Sequence, residues 1–225
     1  MQLLFITVAK RFLITDTNTH LGFELLTKFI YQGNEVIAVP TTIEDDSIYK
    51  KLPQKPIAVI PWDRKSPISA RNTVLKCLNV GFDLDGAIIL ESPQLEDKAL
   101  KELRFSDIET AFDCWIKGTL FIVKELIVHF ASLKKGILCL INYSQARNNS
   151  TCMLSNVIRG SFRGILSALF NASEHKNLNI NAFTSQTENV SAYADFILKN
   201  IKEKCYKLKG KLFQYQRKSG LFSSF

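Results

Sequence analysis

Short apolar runs rich in β-branched residues recur along the chain, separated by longer segments of helical period, and this alternation limits the fold more than any other feature. The runs are Arg11-Phe-Leu-Ile-Thr15, Glu35-Val-Ile-Ala-Val39, Ile57-Ala-Val-Ile60, Gly86-Ala-Ile-Ile-Leu90, Gly136-Ile-Leu-Cys-Leu-Ile141 and Asn179-Ile-Asn-Ala-Phe183, with Leu212-Phe-Gln-Tyr215 as a seventh at the edge. Helices are expected between them over 22–32, 66–81, 107–133 and 153–173. In the first of these, Phe23, Leu26, Phe29 and Ile30 share one face, and Gly33-Asn34 ends it. Strands apolar at nearly every position are buried on both faces, which requires a parallel sheet covered by helices on either side. The expected fold is therefore α/β, a three-layer α/β/α arrangement with a mostly parallel sheet of about seven strands and right-handed crossovers. The 225 residues fit one domain over 1–225. Segments 41–56 and 185–191 are expected to be the most flexible.

Several function classes are excluded early. No apolar run approaches the roughly 18 residues of a membrane span, and Met1 to Ala9 lacks the basic start and cleavage site of a secretory signal, so a cytoplasmic protein is expected. Cys77, Cys114, Cys139, Cys152 and Cys205 are scattered and odd in number, and His20, His129 and His175 share no ligand spacing. Reduced, mostly buried thiols and no metal site follow. The net charge of +8 is uneven: from Lys199 onward eight basic residues face one acidic residue, so +7 of it lies in the C-terminal segment 199–225. That segment is a solvated face or a contact for an anionic partner. Nothing in it matches a nucleic-acid-binding motif.

In a parallel sheet of this kind ligands gather at the carboxyl ends of the strands, which here means the loops 16–21, 63–64, 91–95, 142–152 and 184–190. Their sequences bear a resemblance. Leu13-Ile-Thr-Asp-Thr-Asn-Thr-His-Leu-Gly22 follows the frame of a Thr-Gly-x-x-x-Gly-x-Gly turn entering a helix. Pro61-Trp-Asp63, Phe82-Asp-Leu-Asp-Gly-Ala-Ile-Ile89, Ala111-Phe-Asp-Cys-Trp-Ile-Lys-Gly-Thr-Leu-Phe121, Gly136-Ile-Leu-Cys-Leu-Ile-Asn-Tyr-Ser144, Gly160-Ser-Phe-Arg-Gly-Ile-Leu-Ser-Ala-Leu169 and Asn177-Leu-Asn-Ile-Asn-Ala182 follow in order. Over residues 10 to 215 the chain resembles the short-chain dehydrogenase/reductase family, which implies a Rossmann-type fold and, where the site is functional, NAD or NADP as cofactor.

The chemical signatures of that family are mostly substituted. Asp16 and His20 stand at the first two glycine positions of the turn, and Gly22 remains. The resemblance places Ser155 at the catalytic Tyr position, Arg159 at the Lys position four residues later, Tyr143 or Ser144 at the assisting Ser, and Trp115 at the helical Asn. A serine hydroxyl titrates far above pH 10 and is a poor proton donor at neutral pH. Asp16, His20, Gly22 and Asp63 are the residues that the resemblance implies for cofactor contact. Each also has a plain structural reading: Asp16 as a helix cap, Gly22 as a close helix-to-sheet approach, Asp63 as a turn residue, and His20 as an exposed loop residue. Trp62 and Trp115 suit packing. The leading expectation is a degenerate family member, without cofactor, acting as a non-catalytic binding or assembly subunit. The alternative is a divergent NAD(P)-dependent oxidoreductase in which Tyr143 supplies the phenol. The stripe Phe112, Trp115, Ile116, Thr119, Leu120, Val123 and Leu126 is wider than one sheet contact, and the resemblance implies a homodimer or homotetramer through helices 107–133 and 153–173.

Overall fold

The computed structural model describes residues 9–41, 47–79, 83–93, 95, 98–144, 153–172 and 177–216. Within them, strands β1 (Arg11–Thr15), β2 (Glu35–Val39), β3 (Ala58–Val59), β4 (Gly86–Glu91), β5 (Ile137–Ser144), β6 (Asn179–Gln186) and β7 (Lys211–Tyr215) form one sheet. Its order is β3-β2-β1-β4-β5-β6-β7, and every neighbouring pair is parallel. The helices are α1 (His20–Tyr31), α2 (Ser47–Lys50), α3 (Pro67–Asn79), α4 (Phe105–Ala111), α5 (Gly118–Leu133), α6 (Met153–Asn171) and α7 (Val190–Asn200).

Two apolar clusters cover the two faces of the sheet. Along β5, Ile137, Cys139, Ile141 and Tyr143 join the cluster that contains Leu25 and Phe29 of α1 and Tyr193 and Ile197 of α7. Leu138 and Leu140 join the cluster that contains Val74 of α3, Val123 and Leu126 of α5, and Phe162 and Leu166 of α6. That two-residue alternation is the pleat of a strand buried on both sides. Helix α1 is entered through Thr19, whose hydroxyl oxygen accepts from the Gly22 amide at 3.2 Å.

The structure extends or corrects several sequence expectations. Strands β5 and β6 run three residues beyond the expected ends, because they pair rung by rung from Ile137↔Asn179 to Ser144↔Gln186. Main-chain pairing continues although the side chains have turned polar. Residues 185–191 are therefore not a flexible loop: Ser185 and Gln186 finish β6, Asn189 caps α7, and Val190 is buried in it. Helix α7 itself was not expected. Its buried Val190, Tyr193, Ala194, Ile197 and Leu198 keep helical spacing, but the surrounding basic residues obscure it. The expected single helix over 107–133 begins at Phe105 and is interrupted by a π-helical stretch, Phe112–Lys117, between α4 and α5. Cys77, Cys139 and Cys205 are buried free thiols. Residues 42–46 of the expected 41–56 loop, the helix ends at 80–81 and 173, Cys152, and 217–225 of the basic segment lie outside the described residues.

Candidate functional site

The strand order reverses between β1 and β4, and the crevice above that switch point is where a parallel sheet of this kind offers a ligand site. One side chain spans it here. Arg64, from the loop after β3, is 4% exposed and donates through Nη2 to Asp16 Oδ2 at 2.5 Å and through Nε to Asp16 Oδ1 at 3.2 Å. The same Nη2 donates to the Leu90 carbonyl at 2.5 Å. Asp16 follows β1 and Leu90 belongs to β4, so Arg64 fastens the two strands together across the switch point. A further bond crosses the same gap, from the Leu90 amide to Thr15 Oγ1 at 2.9 Å.

The surroundings of Arg64 are built for a cation. Its guanidinium carbon lies 4.7 Å from the Trp62 ring centre and 4.2 Å from that of Trp115. The π-helical stretch contributes the Cys114 carbonyl, an acceptor for Arg64 Nη1 at 3.4 Å, and π turns of this kind leave such groups available. Gly118 makes the approach possible, because a Cβ there would lie 2.6 Å from the Arg64 carbonyl oxygen. Trp62 and Trp115 are packing residues, as their sequence suggested, and what they pack is a charge.

Glu91, the last residue of β4, completes the cluster. It is 1% exposed, its Oε1 is 3.7 Å from Arg64 Nη1, and neither carboxylate oxygen has a hydrogen-bond partner among the described residues. Burial raises its carboxyl pKa to about 8, and Arg64, which favours the anion, only partly offsets this; Asp16 adds to the rise. For Arg64, burial opposes the charge, but Asp16 and Glu91 outweigh it and hold the guanidinium protonated more firmly than usual. At neutral pH Glu91 thus sits mostly protonated beside the Arg64–Asp16 ion pair.

Asp16 takes a left-handed backbone, φ 54°, at a position where the family turn has glycine. An aspartate tolerates that conformation better than most residues. It is not the helix cap, a role that Thr19 fills; its own carbonyl accepts from Thr19 N at 2.9 Å and Thr19 Oγ1 at 2.7 Å. Gly22 is a close-approach glycine, since a Cβ would stand 2.0 Å from the Asp16 carbonyl oxygen. His20 is exposed. Asp63 is an exposed turn residue whose Oδ1 accepts from Lys65 N at 3.0 Å.

Of the expected catalytic positions, Tyr143 stands apart from Arg159. Tyr143 points into the cluster beneath α1 and α7, stacks on Tyr193 at 5.9 Å, and donates to the Thr187 carbonyl at 3.1 Å. Arg159 of α6 lines a cleft on the opposite face, with Asn142. Grouping Tyr143 with Arg159 is therefore corrected: an odd-numbered β5 residue faces away from α6. Ser144 ends β5 and Ser155 lies in the first turn of α6, both half-buried. Among the described residues no group of three His, Cys, Asp or Glu side chains is placed to hold a metal ion, and no helix is long and apolar enough to cross a membrane. Sequence reasoning missed Arg64 and Glu91 as site residues. Their signal was a charge directly after the third and fourth strands, at loops already singled out for ligands.

Comparison with solved structures identifies the architecture. A 3-ketoacyl-ACP reductase from Sinorhizobium meliloti 1021 superimposes with a TM-score of 0.76 at 12% identity, covering 91% of this chain and 96% of the other. The fold is that of the short-chain dehydrogenases/reductases. A 3-ketoacyl-(acyl-carrier-protein) reductase from Brucella melitensis, complexed with NADH, gives 0.78 at 12% identity over 91% and 96% of the two chains. A short-chain dehydrogenase/reductase of Brucella melitensis, described as glucose/ribitol dehydrogenase, gives 0.77 at 14% over 96% and 97%. No protein-family model and no curated protein sequence matches the chain. The short-chain dehydrogenase/reductase frame is thus present over nearly the whole chain at a sequence identity that carries the fold alone.

Proposed function

We propose that this chain uses the short-chain dehydrogenase/reductase frame as a non-catalytic binding or assembly subunit. The observation that supports the reading is Arg64, which bonds Asp16 of the β1 end to Leu90 of β4 across the switch-point crevice. A dinucleotide does not fit these residues well. Its pyrophosphate needs bare backbone amides and a partial positive charge at the helix entrance. Here the Asp16 carboxylate stands at the turn, the Gly22 amide is taken by Thr19 Oγ1, and Arg64, the buried cation at the crevice, is already neutralised. Opening the crevice would leave Asp16 buried without its partner, which costs about 3–5 kcal/mol. The position that the resemblance gives to the reductase phenol is also substituted, since Ser155 stands four residues before Arg159.

The assembly we expect is a homodimer or homotetramer through α4, α5 and α6. Phe105, Leu120, Val128 and Met153 on these helices are 87%, 44%, 61% and 43% exposed, apolar side chains that a second copy would cover.

Because the Brucella reductase is described as complexed with NADH, dinucleotides are the ligands to test. Isothermal titration with NAD, NADH, NADP and NADPH at millimolar concentration is expected to show no saturable binding. Saturable binding together with NAD(P)H-dependent turnover of carbonyl substrates, lost in Arg159→Ala, would overturn the proposal.

A further inference from the structure

On the α6 side of the sheet, the row of side chains changes character towards the strand ends. Leu140, Ala182 and Leu212 are paired neighbours across β5, β6 and β7; two residues on, the paired neighbours are Asn142, Thr184 and Gln214. An apolar rung is followed by a polar one. Helix α6 lies against this row and contributes Arg159 and Arg163, one turn apart, with Phe162 and Leu166 below them. Between helix and strands is a cleft of about 550 Å³, which Gln186 and Gln216 also line.

Two observations set this cleft apart from an ordinary polar surface. Arg159 and Arg163 have no hydrogen bond or ion pair with any described residue, and no acidic side chain is among the described residues that line the cleft. In addition, Asn142 is 6% exposed and its side-chain amide has no hydrogen-bond partner among the described residues; Tyr193 Oη donates to its main-chain carbonyl at 3.4 Å. That amide is solvated rather than orphaned, since neither of its atoms is among the buried atoms without a partner. Asn142 therefore offers a free amide to the cleft that Arg159 and Arg163 also line.

We propose that the cleft binds a small phosphorylated polyol, with its phosphate on Arg159 and Arg163 and its hydroxyls on Asn142, Thr184, Gln186 and Gln214. Two guanidinium forks offer more donors than one carboxylate can accept, whereas a phosphate presents three terminal oxygens. Amide and hydroxyl side chains both donate and accept, as a run of ligand hydroxyls requires. The volume lies in the range of small-molecule sites. The cleft sits over β5, β6 and β7 and shares no lining residue with the Arg64 cluster, so its ligand binding, read by titration without any dinucleotide, is tested separately from the closure of the crevice by Arg64.

The test is calorimetric titration of the full chain, at physiological salt, with ribose 5-phosphate, inorganic phosphate and ribose. One-site binding is expected to be tightest for ribose 5-phosphate, weaker for phosphate and weakest for ribose. Arg159→Gln and Arg163→Gln are each expected to weaken it about tenfold or more, with melting curves unchanged. Asn142→Leu is expected to weaken ribose 5-phosphate while leaving inorganic phosphate unaffected. Lys124→Gln, an exposed change on α5 outside the cleft, is expected to leave all three unchanged. Absence of saturation at millimolar ligand overturns the proposal. So does an equal loss in Lys124→Gln, which would assign binding to the overall charge of +8. Phosphate alone binding as tightly as ribose 5-phosphate would overturn the polyol assignment.

Discussion

Replacing Glu91 by Gln is expected to stabilise the protein, increasingly so as pH rises. The folded carboxyl titrates at about 8 against an ordinary 4.5, so between those values the folded chain keeps a proton that the unfolded chain releases. Stability from this group is fully present below pH 4.5 and is lost as pH climbs through 8. The loss amounts to about 3 kcal/mol at pH 7 and approaches about 5 kcal/mol above pH 8, at 1.36 kcal/mol per pKa unit. Glutamine matches the protonated acid in size and neutrality and carries no such penalty. Glu91→Gln is therefore expected to melt with the wild type near pH 4 and roughly 6–12 °C above it at pH 7, at about 2–4 °C per kcal/mol for a chain of this size. The assay is urea and thermal unfolding of both proteins from pH 4 to pH 9. A difference that stays flat with pH refutes the reasoning. A Gln variant less stable than wild type at pH 7 refutes it more directly, since the carboxylate would then be ionised and held by Arg64.

Other perturbations separate the remaining contacts. Arg64→Ala is expected to cost about 3–5 kcal/mol by leaving the Asp16 carboxylate buried and unpaired, and urea denaturation of Asp16→Asn/Arg64→Met is expected to recover much of that loss; additive single-variant effects would contradict the pairing. Gly22→Ala is expected to cost about 1–3 kcal/mol or more, because its Cβ meets the Asp16 carbonyl oxygen at 2.0 Å, and a melting temperature equal to wild type would show that the turn can relax.

The fold was legible because it rests on main-chain pairing and burial, which leave a periodic trace. Phe12, Leu13 and Ile14 are buried in succession in β1, as are Ala87, Ile88, Ile89 and Leu90 in β4, and such runs admit few arrangements other than a covered parallel sheet. Periodicity fails where polar residues sit inside regular structure. The last rungs of β5 and β6 carry Asn142, Tyr143, Thr184 and Ser185, so the apolar run stops before the pairing does. The buried face of α7 is obscured by the run of lysines that begins in its own last turn with Lys199.

The candidate site was legible in place but not in content, and the reason is the range of the interactions involved. Asp16 and Arg64 are 48 residues apart, and Arg64 and Leu90 are 26 apart. No local spacing announces either contact. The sequence marked Asp16 as a carboxylate where glycine was expected, and on that evidence alone it could repel a ligand, cap a helix or act on a substrate. Only the return of β3 beside β2, delivering Arg64 over the switch point, selects among these. The selection also bears on Glu91. Once Asp16 claims both Nε and Nη2 of the guanidinium, Glu91 is left with Nη1 at 3.7 Å and no hydrogen bond. One buried arginine cannot satisfy two buried carboxylates equally, and the poorer-held partner takes a proton instead. The same division that fastens the crevice thus leaves Glu91 as a carboxyl group that burial pushes up into the neutral range. For that reason the pH dependence of Glu91→Gln and the coupling of Asp16 with Arg64 test one arrangement from two sides.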